Sequence, residues 1–491
     1  MRESGVLMPI SSLPSKYGIG CFSKEAYTFI QQLKLAKQKY WQILPLGPTS
    51  YGDSPYQSFS AFAGNPYFID LEDLITQGLL TEKECESCFS EEENSYIDYD
   101  KLSLTRYKIL RQAFQRFDCQ NEWYQRYLYE EHEWLDNYAL YMAIKDYHGG
   151  ISWTRWEDSI KCKNPEAVAQ YRKECEEDIQ FYCFLQFQFS TQWKKLKAYA
   201  NEQGIKIIGD IPIYVAFDSA DSWGNKELFQ FTKEGLPIAV AGCPPDAFSC
   251  TGQLWGNPLY NWEYHKTTDY DWWTKRIAHN FQLYDVVRVD HFRGFDEFYS
   301  IPYDHKTAEH GNWVKGPGYD IFEALLRKLG KLDIIAEDLG FLTPSVIELV
   351  KRTGFPGMKI LQFAFNAGEE SSYLPHNHVK NCIVYPGTHD NDTLLGWYQK
   401  LSYEDKKFAD AYVDIGDVPE KEIPWKFIRL AMRSVANLCI IPIQDYLCLG
   451  SEARINTPST VGQNWKWRMK NGEFSLELCE KIKELTETFG R

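Results

Sequence analysis

Eight short apolar runs punctuate the chain, and each is closed by a polar or charged cluster. They are GVLMPISS (5–12), YWQILPLGP (40–48), IKIIGDIPIYV (205–215), YDVVRVDHFRG (284–294), LDIIAEDLG (332–340), MKILQFAF (358–365), NCIVYPGTHDND (381–392) and LCIIPIQD (438–445). Runs this short, rich in Val and Ile and bounded by Gly, Pro or Asp, predict buried parallel strands. Helical patterns lie between several of them. Thr343 and Pro344 predict the start of a helix that carries Val346, Ile347, Leu349 and Val350. Proline is tolerated at a first helical position because the N–H it lacks has no partner there. Eight strands alternating with helices predict an α/β fold, a (β/α)8 TIM barrel. A doubly wound sheet is the alternative. It often carries a glycine-rich phosphate turn, and the nearest match, Gly18-Ile19-Gly20, has Ser23 where a third glycine would stand.

The second and third runs are too far apart for one crossover, so residues 50–190 are expected to hold an insertion. Its pattern is mainly helical. Tyr107, Leu110, Phe114 and Phe117 recur at three to four residues, as do Leu135, Tyr138 and Met142. Gly149-Gly150 ends that second helix, and a third, with Phe184, Phe189, Trp193 and Leu196, stops at Gly204. Residues 216–280, rich in Gly, Pro, Trp and Asp, predict a loop-rich insertion after the third strand. Glu91-Glu92-Glu93 predicts a solvated surface. No repeat divides the chain, so residues 1–491 are expected to form a single catalytic barrel.

Charge narrows the partners. Against 53 basic side chains stand 68 acidic ones, a net charge of −15. Repulsion from phosphates opposes nucleic acid and anionic membrane surfaces. No stretch approaches the ~18 apolar residues of a membrane span. The start, MRESGVLMPISSLPS, lacks the basic-then-apolar pattern of a secretory signal. The 13 cysteines, an odd and scattered set, then fit reduced thiols in a cytoplasmic protein. Cys85 and Cys88 form a CxxC with no second pair at zinc spacing, and no metal site is expected. Aromatic residues make up 16% of the chain. Tyr and Trp pair a flat apolar face with a polar edge, which suits sugars, although most must serve packing.

Barrel enzymes place reactive groups at the C-terminal ends of strands. Four carboxylates sit there: Asp210, Asp290, Glu337 and Asp390. Any one of them can be a helix cap or an ion-pair partner. Four acids converging in one mouth would repel each other without a use. Arg288 and Asp290 are two apart on one strand and share a face. Pairing with Arg288 is expected to depress the Asp290 pKa and hold it ionised, as a nucleophile must be. Glu337 is the candidate proton donor, its pKa raised by burial and neighbouring negative charge. Two carboxylates tuned apart are the arrangement that cleaves glycosidic bonds. His291 and His389 flank two of the acids and lack metal-ligand spacing; they suit hydrogen bonds to substrate hydroxyls, or packing.

Seven segments together resemble the amylomaltases, the 4-α-glucanotransferases or disproportionating enzymes of glycoside hydrolase family 77. They are Ser54-Pro55-Tyr56, GDIPIYV (209–215), CPPDAFSCTGQLWGNPLYNW (243–262), RVDHFRG (288–294), AEDLG (336–340), GTHDNDT (387–393) and QDYLCLGSEARINTPSTVGQNWKWR (444–468), and they span nearly the whole chain. RVDHFRG and THD also echo the wider α-amylase clan, but the GQLWGNPLY block points to the amylomaltase branch. The resemblance implies that Asp290 is the nucleophile, Glu337 the general acid/base, and Asp390 the acid that binds and distorts the sugar. It implies that Arg288, His291 and His389 surround that sugar, that Tyr56 stacks on it and that Asp210 lies near it. Asp246, Gln253 and Trp255 would contact the acceptor, and Asn456 would line the donor groove. Many family members have Gly where Ser459 follows Pro458, a departure that bears on loop mobility and not on the acids. The family lacks a C-terminal β-sandwich, and the short tail after Trp467 agrees.

The expected activity is transfer of α-1,4-glucan segments between maltooligosaccharides by a retaining double displacement, with no cofactor. Two alternatives are an α-1,4-glucan hydrolase and a non-catalytic glucan-binding protein. The second needs the aromatics but has no use for Asp290 and Glu337.

Overall fold

The structure is a computed structural model and describes residues 2–89, 95–245, 249–340 and 342–491. The run Glu91–Glu93 and the acceptor candidate Asp246 lie outside the described residues.

All eight apolar runs contain a strand. The barrel strands are Glu3–Leu7, Tyr40–Gln42, Lys206–Pro212, Val286–Asp290, Ile334–Ala336, Gly357–Ile360, Cys382–Tyr385 and Leu438–Pro442. Each is shorter than its run, because the run continues into the buried loop that follows; Ile43, Leu44 and Leu46 are buried without being in a strand. The strands are parallel and ordered sixth, seventh, eighth, first, second, third, fourth, fifth. Between the fifth and sixth, Ala336 N donates to Pro356 O (3.0 Å), which closes the ring into a (β/α)8 barrel.

Alternation sorts the side chains. Leu7, Ile208, Ile335, Ile360, Ile383 and Ile440 fill the barrel interior. Ile207, Val287, Val289 and Ile334 point outward into the main core against the helices. With Val287 and Val289 outside, Arg288 and Asp290 must face in. The same count puts Asp210 and Glu337 inside, two residues beyond Ile208 and Ile335.

Between the second and third strands run the helices Tyr99–Arg116, Glu122–Tyr147 and Glu176–Glu202. Asp98 and Asn121 cap the first two by accepting main-chain N–H bonds. Phe117, at the end of the first, packs on Phe184 of the third, ring centroids 4.9 Å apart. Thr343 caps the helix Pro344–Thr353, whose Val346 and Leu349 are buried; Ile347 lies on the opposite side and is 54% exposed.

A second sheet stands outside the barrel, and no apolar run foretold it. Its four antiparallel strands run in the order Gln253–Pro258, Ala239–Cys243, Glu297–Pro302, Asn312–Lys315. Two come from the segment after the third barrel strand and two from the segment after the fourth. The helices Trp262–Thr267 and Asp271–Leu283 lead back to the barrel.

Candidate active site

Register sets the acids side by side. Asp210 pairs with Arg288 and Pro212 with Asp290 across the third and fourth strands. Val289 pairs with Ala336 across the fourth and fifth, so Asp290 and Glu337 leave adjacent strands at one level. Gly209 lets this corner close: a Cβ there would lie 2.1 Å from the Tyr284 ring.

Arg288 is the hub. Its Nη1 donates to both oxygens of Asp210 (2.7 and 2.6 Å), and its Nη2 lies 3.0 Å from Asp290 Oδ1. Asp210 Oδ2 also accepts from the Tyr56 hydroxyl (2.8 Å). The charge pair expected between Arg288 and Asp290 is therefore present, but its effect on Asp290 is not the expected one. Burial outweighs Arg288, and the charges of Asp210 and Asp390 add to it, so the Asp290 carboxyl is pushed up to about 6. Arg288 also pairs with Asp210, and its charge does not offset the burial of Asp290.

Glu337 is raised further, to about 7, first by burial and then by the charge of Asp290. Its two oxygens are held by the main chain: His291 N donates to Oε2 (2.7 Å) and Leu339 N to Oε1 (2.8 Å). The first bond needs an unusual backbone. His291 adopts a left-handed conformation, φ 52°, which is uncommon outside glycine and recurs at functional sites. The His291 ring is kept neutral, its pKa lowered to about 3 by burial and by Arg293. Its Nε2 is buried and has no hydrogen-bond partner.

The seventh strand ends at Tyr385, and the turn beyond it carries His389 and Asp390. His389 stacks on Tyr56, ring centroids 5.1 Å apart at 17°. Its Nε2 lies 3.4 Å from Asp390 Oδ1. Asn456, on the late loop, donates through Nδ2 to the same Asp390 oxygen (2.7 Å). On the opposite side, Trp255 meets the His291 ring edge-to-face at 4.8 Å, and its Nε1 donates to Gln253 Oε1 (3.1 Å). One chain of contacts thus joins Tyr56, Asp210, Arg288, Asp290, His389, Asp390 and Asn456. A second joins Glu337, His291, Trp255 and Gln253, and the two meet in the effect of the Asp290 charge on Glu337. Among the described residues no group of three His, Cys, Asp or Glu side chains could hold a metal ion.

Sequence reasoning missed three participants. Trp465 packs against Tyr56 (5.8 Å) and His389 (6.0 Å). Tyr214 lies 6.3 Å from Trp255 and 6.4 Å from His291. Arg454 reaches the main chain beneath Asp390. All three sit in segments singled out for their motifs, and the aromatic excess was the one signal for the first two. Cys85 and Cys88 are buried free thiols far from these contacts in the sequence, in the α-helical insertion.

A family model described as 4-alpha-glucanotransferase matches residues 8–475. A 4-alpha-glucanotransferase of Clostridium butyricum is 50% identical over 99% of this chain and 100% of its own. One from Thermus thermophilus is 43% identical over 100% of this chain and 99% of its own. The amylomaltase of Streptococcus agalactiae, solved in complex with acarbose, superposes with a TM-score of 0.97 at 41% identity, each chain covered in full.

Proposed function

The chain belongs to the 4-alpha-glucanotransferase family, and we propose that it moves α-1,4-glucan segments between maltooligosaccharides by a double displacement at Asp290 and Glu337. The observation that carries this reading is the pair itself: two acids on adjacent strand ends, each raised toward neutrality, with Glu337 the higher. At neutral pH the ionised Asp290 attacks the anomeric carbon while Glu337 protonates the departing oxygen. A covalent glycosyl-enzyme forms. Glu337, now a carboxylate, takes the proton of an acceptor 4-hydroxyl, which displaces Asp290. Two inversions give net retention.

Asp390, Asn456 and His389 grip the sugar that is being distorted. Tyr56 stacks beside it and hydrogen-bonds Asp210, which with Arg288 keeps the nucleophile in place. His291, neutral and with a buried unpaired Nε2, offers a hydrogen bond to a substrate hydroxyl. Trp255 and Gln253 receive the acceptor, and Asp246 belongs to the same group. A bound acceptor hydroxyl reacts at high effective concentration, which is how sugar competes with water. The chemistry described uses side chains alone, with no cofactor.

No helix among the described residues is long and apolar enough to cross a membrane. Buried free thiols such as Cys21, Cys183 and Cys439 support a cytoplasmic location. In domain terms, residues 1–491 are read as one catalytic barrel, with 50–190 and 216–280 as insertions that wall the mouth.

Incubation with maltotriose alone tests the reading. Chain lengths should redistribute above and below three glucose units with few new reducing ends. Hydrolysis without longer products would favour the glucan hydrolase, and no change at all would favour a binding protein.

A further inference from the structure

The turn that carries Asp390 lies beyond the end of the seventh strand, Cys382–Tyr385. Arg454 bridges it to the late loop. Its Nη2 donates to the main-chain oxygen of Asp390 (2.6 Å), and its Nε to that of Asn456 (2.7 Å). Asn456 N in turn donates to His389 O (3.1 Å). We propose that Arg454 is a positioning residue for the transfer reaction: it rivets Asn456 to His389 and Asp390, and so sets the geometry with which these residues hold the sugar. The inference rests on reading Asp390 and Asn456 as sugar-binding residues.

At Asp390 itself the late loop adds a side-chain bond, Asn456 Nδ2 to Asp390 Oδ1. The late loop beyond it is poorly buried, with Thr457, Ser459 and Thr460 exposed. A planar guanidinium can donate along two fixed directions at once; an ammonium is a single point charge and cannot hold that fork. Removing Arg454 takes this donor from the main-chain oxygens of Asp390 and Asn456. A second tie, Lys400 Nζ and Ser451 Oγ on Asp392 Oδ2 (2.5 and 2.8 Å), secures the far end of the turn. The turn would therefore stay folded without Arg454 and lose only its alignment.

Steady-state transfer on maltotriose is measured for the parent, Arg454→Ala, Arg454→Lys and Asp390→Asn, each with and without millimolar guanidinium chloride. A misplacement of about 1 Å can cost on the order of 100-fold in rate, so Arg454→Ala should lose about that much in kcat. KM should hardly change, because the grip tightens only as the sugar distorts. Arg454→Lys should stay low. Guanidinium should restore much of kcat in Arg454→Ala and none in Asp390→Asn. Parent-like kcat in Arg454→Ala, a fully active Arg454→Lys, or a loss that guanidinium leaves untouched would each overturn the inference. Should the alanine variant fail to fold, Arg454→Lys is read in its place, and parent-like kcat there overturns it. An active Asp390→Asn sinks the underlying reading of the site, whatever Arg454 does.

Discussion

Glu337 stands at the end of a strand, gripped by two main-chain N–H groups and 9% exposed. Asp390 stands five residues beyond the end of its strand, with its side chain 44% exposed and held by Asn456 of the late loop and by its neighbour His389. The first arrangement isolates a carboxyl from water and shifts its proton affinity. The second leaves a carboxyl group in reach of solvent and fixes where it points. Proton transfer needs the former and sugar binding the latter, and one barrel mouth supplies both because strand ends are rigid and loops are adjustable.

The most severe test of that division is Asp290→Asn. It should lower transfer on every donor by about 10⁴-fold or more, since nothing else can form the covalent link. Activity retained on any donor would mean that the rigid side does not hold the nucleophile.

Glu337→Gln should cost about 10²–10⁴-fold on maltooligosaccharides, the usual worth of a general acid. On a glycosyl fluoride, whose leaving group needs no proton, the first step should survive. A covalent adduct should then accumulate and be visible by intact-mass spectrometry. Equal losses on both donors would remove Glu337 from the acid role.

A finer prediction concerns pH. Rate should fall below about 6 as Asp290 is protonated, and above about 7 as Glu337 loses its proton; the two limbs belong to the coupled pair. The charge of Asp390 is one of the causes that raise Asp290. Asp390→Asn removes it, so the acid limb should move to lower pH, read on an activated donor that keeps the rate measurable. An upward move would show that Asp390 tunes the nucleophile in a different way.

The smallest effect is expected at Trp255. Trp255→Ala should change the overall rate modestly and raise the share of intermediates captured by water, measured as new reducing ends against redistributed chains. An unchanged ratio would make Trp255 a packing residue of its strand.

The barrel was legible because a buried parallel strand is a continuous apolar run, and its ends were overdrawn because the buried loops after it are apolar too. The antiparallel sheet was not legible. Asn312–Lys315 is an edge strand exposed at all four positions, so it shows no alternation. It pairs with the strand immediately before it, Glu297–Pro302. The acids were legible by their place after the runs. The sequence reading erred on the balance at Asp290, because burial, and the added charges of Asp210 and Asp390, are properties of the packed mouth. Arg454 was invisible for a related reason: its partners are main-chain oxygens, which every residue has.

The two N–H groups on Glu337 have a consequence for mutational drift. A side-chain donor can be lost by one base change, whereas a main-chain donor survives any substitution that keeps the backbone. The tuning of the acid is therefore insensitive to which residue occupies position 339, with proline the exception because it carries no N–H. Position 291 is narrower, since its left-handed backbone admits few residues at low strain. Exchange at Leu339 should be nearly neutral for the pH profile, and heritable variation in the working range of this enzyme should arise at Asp210, Asp390 and the walls of the mouth.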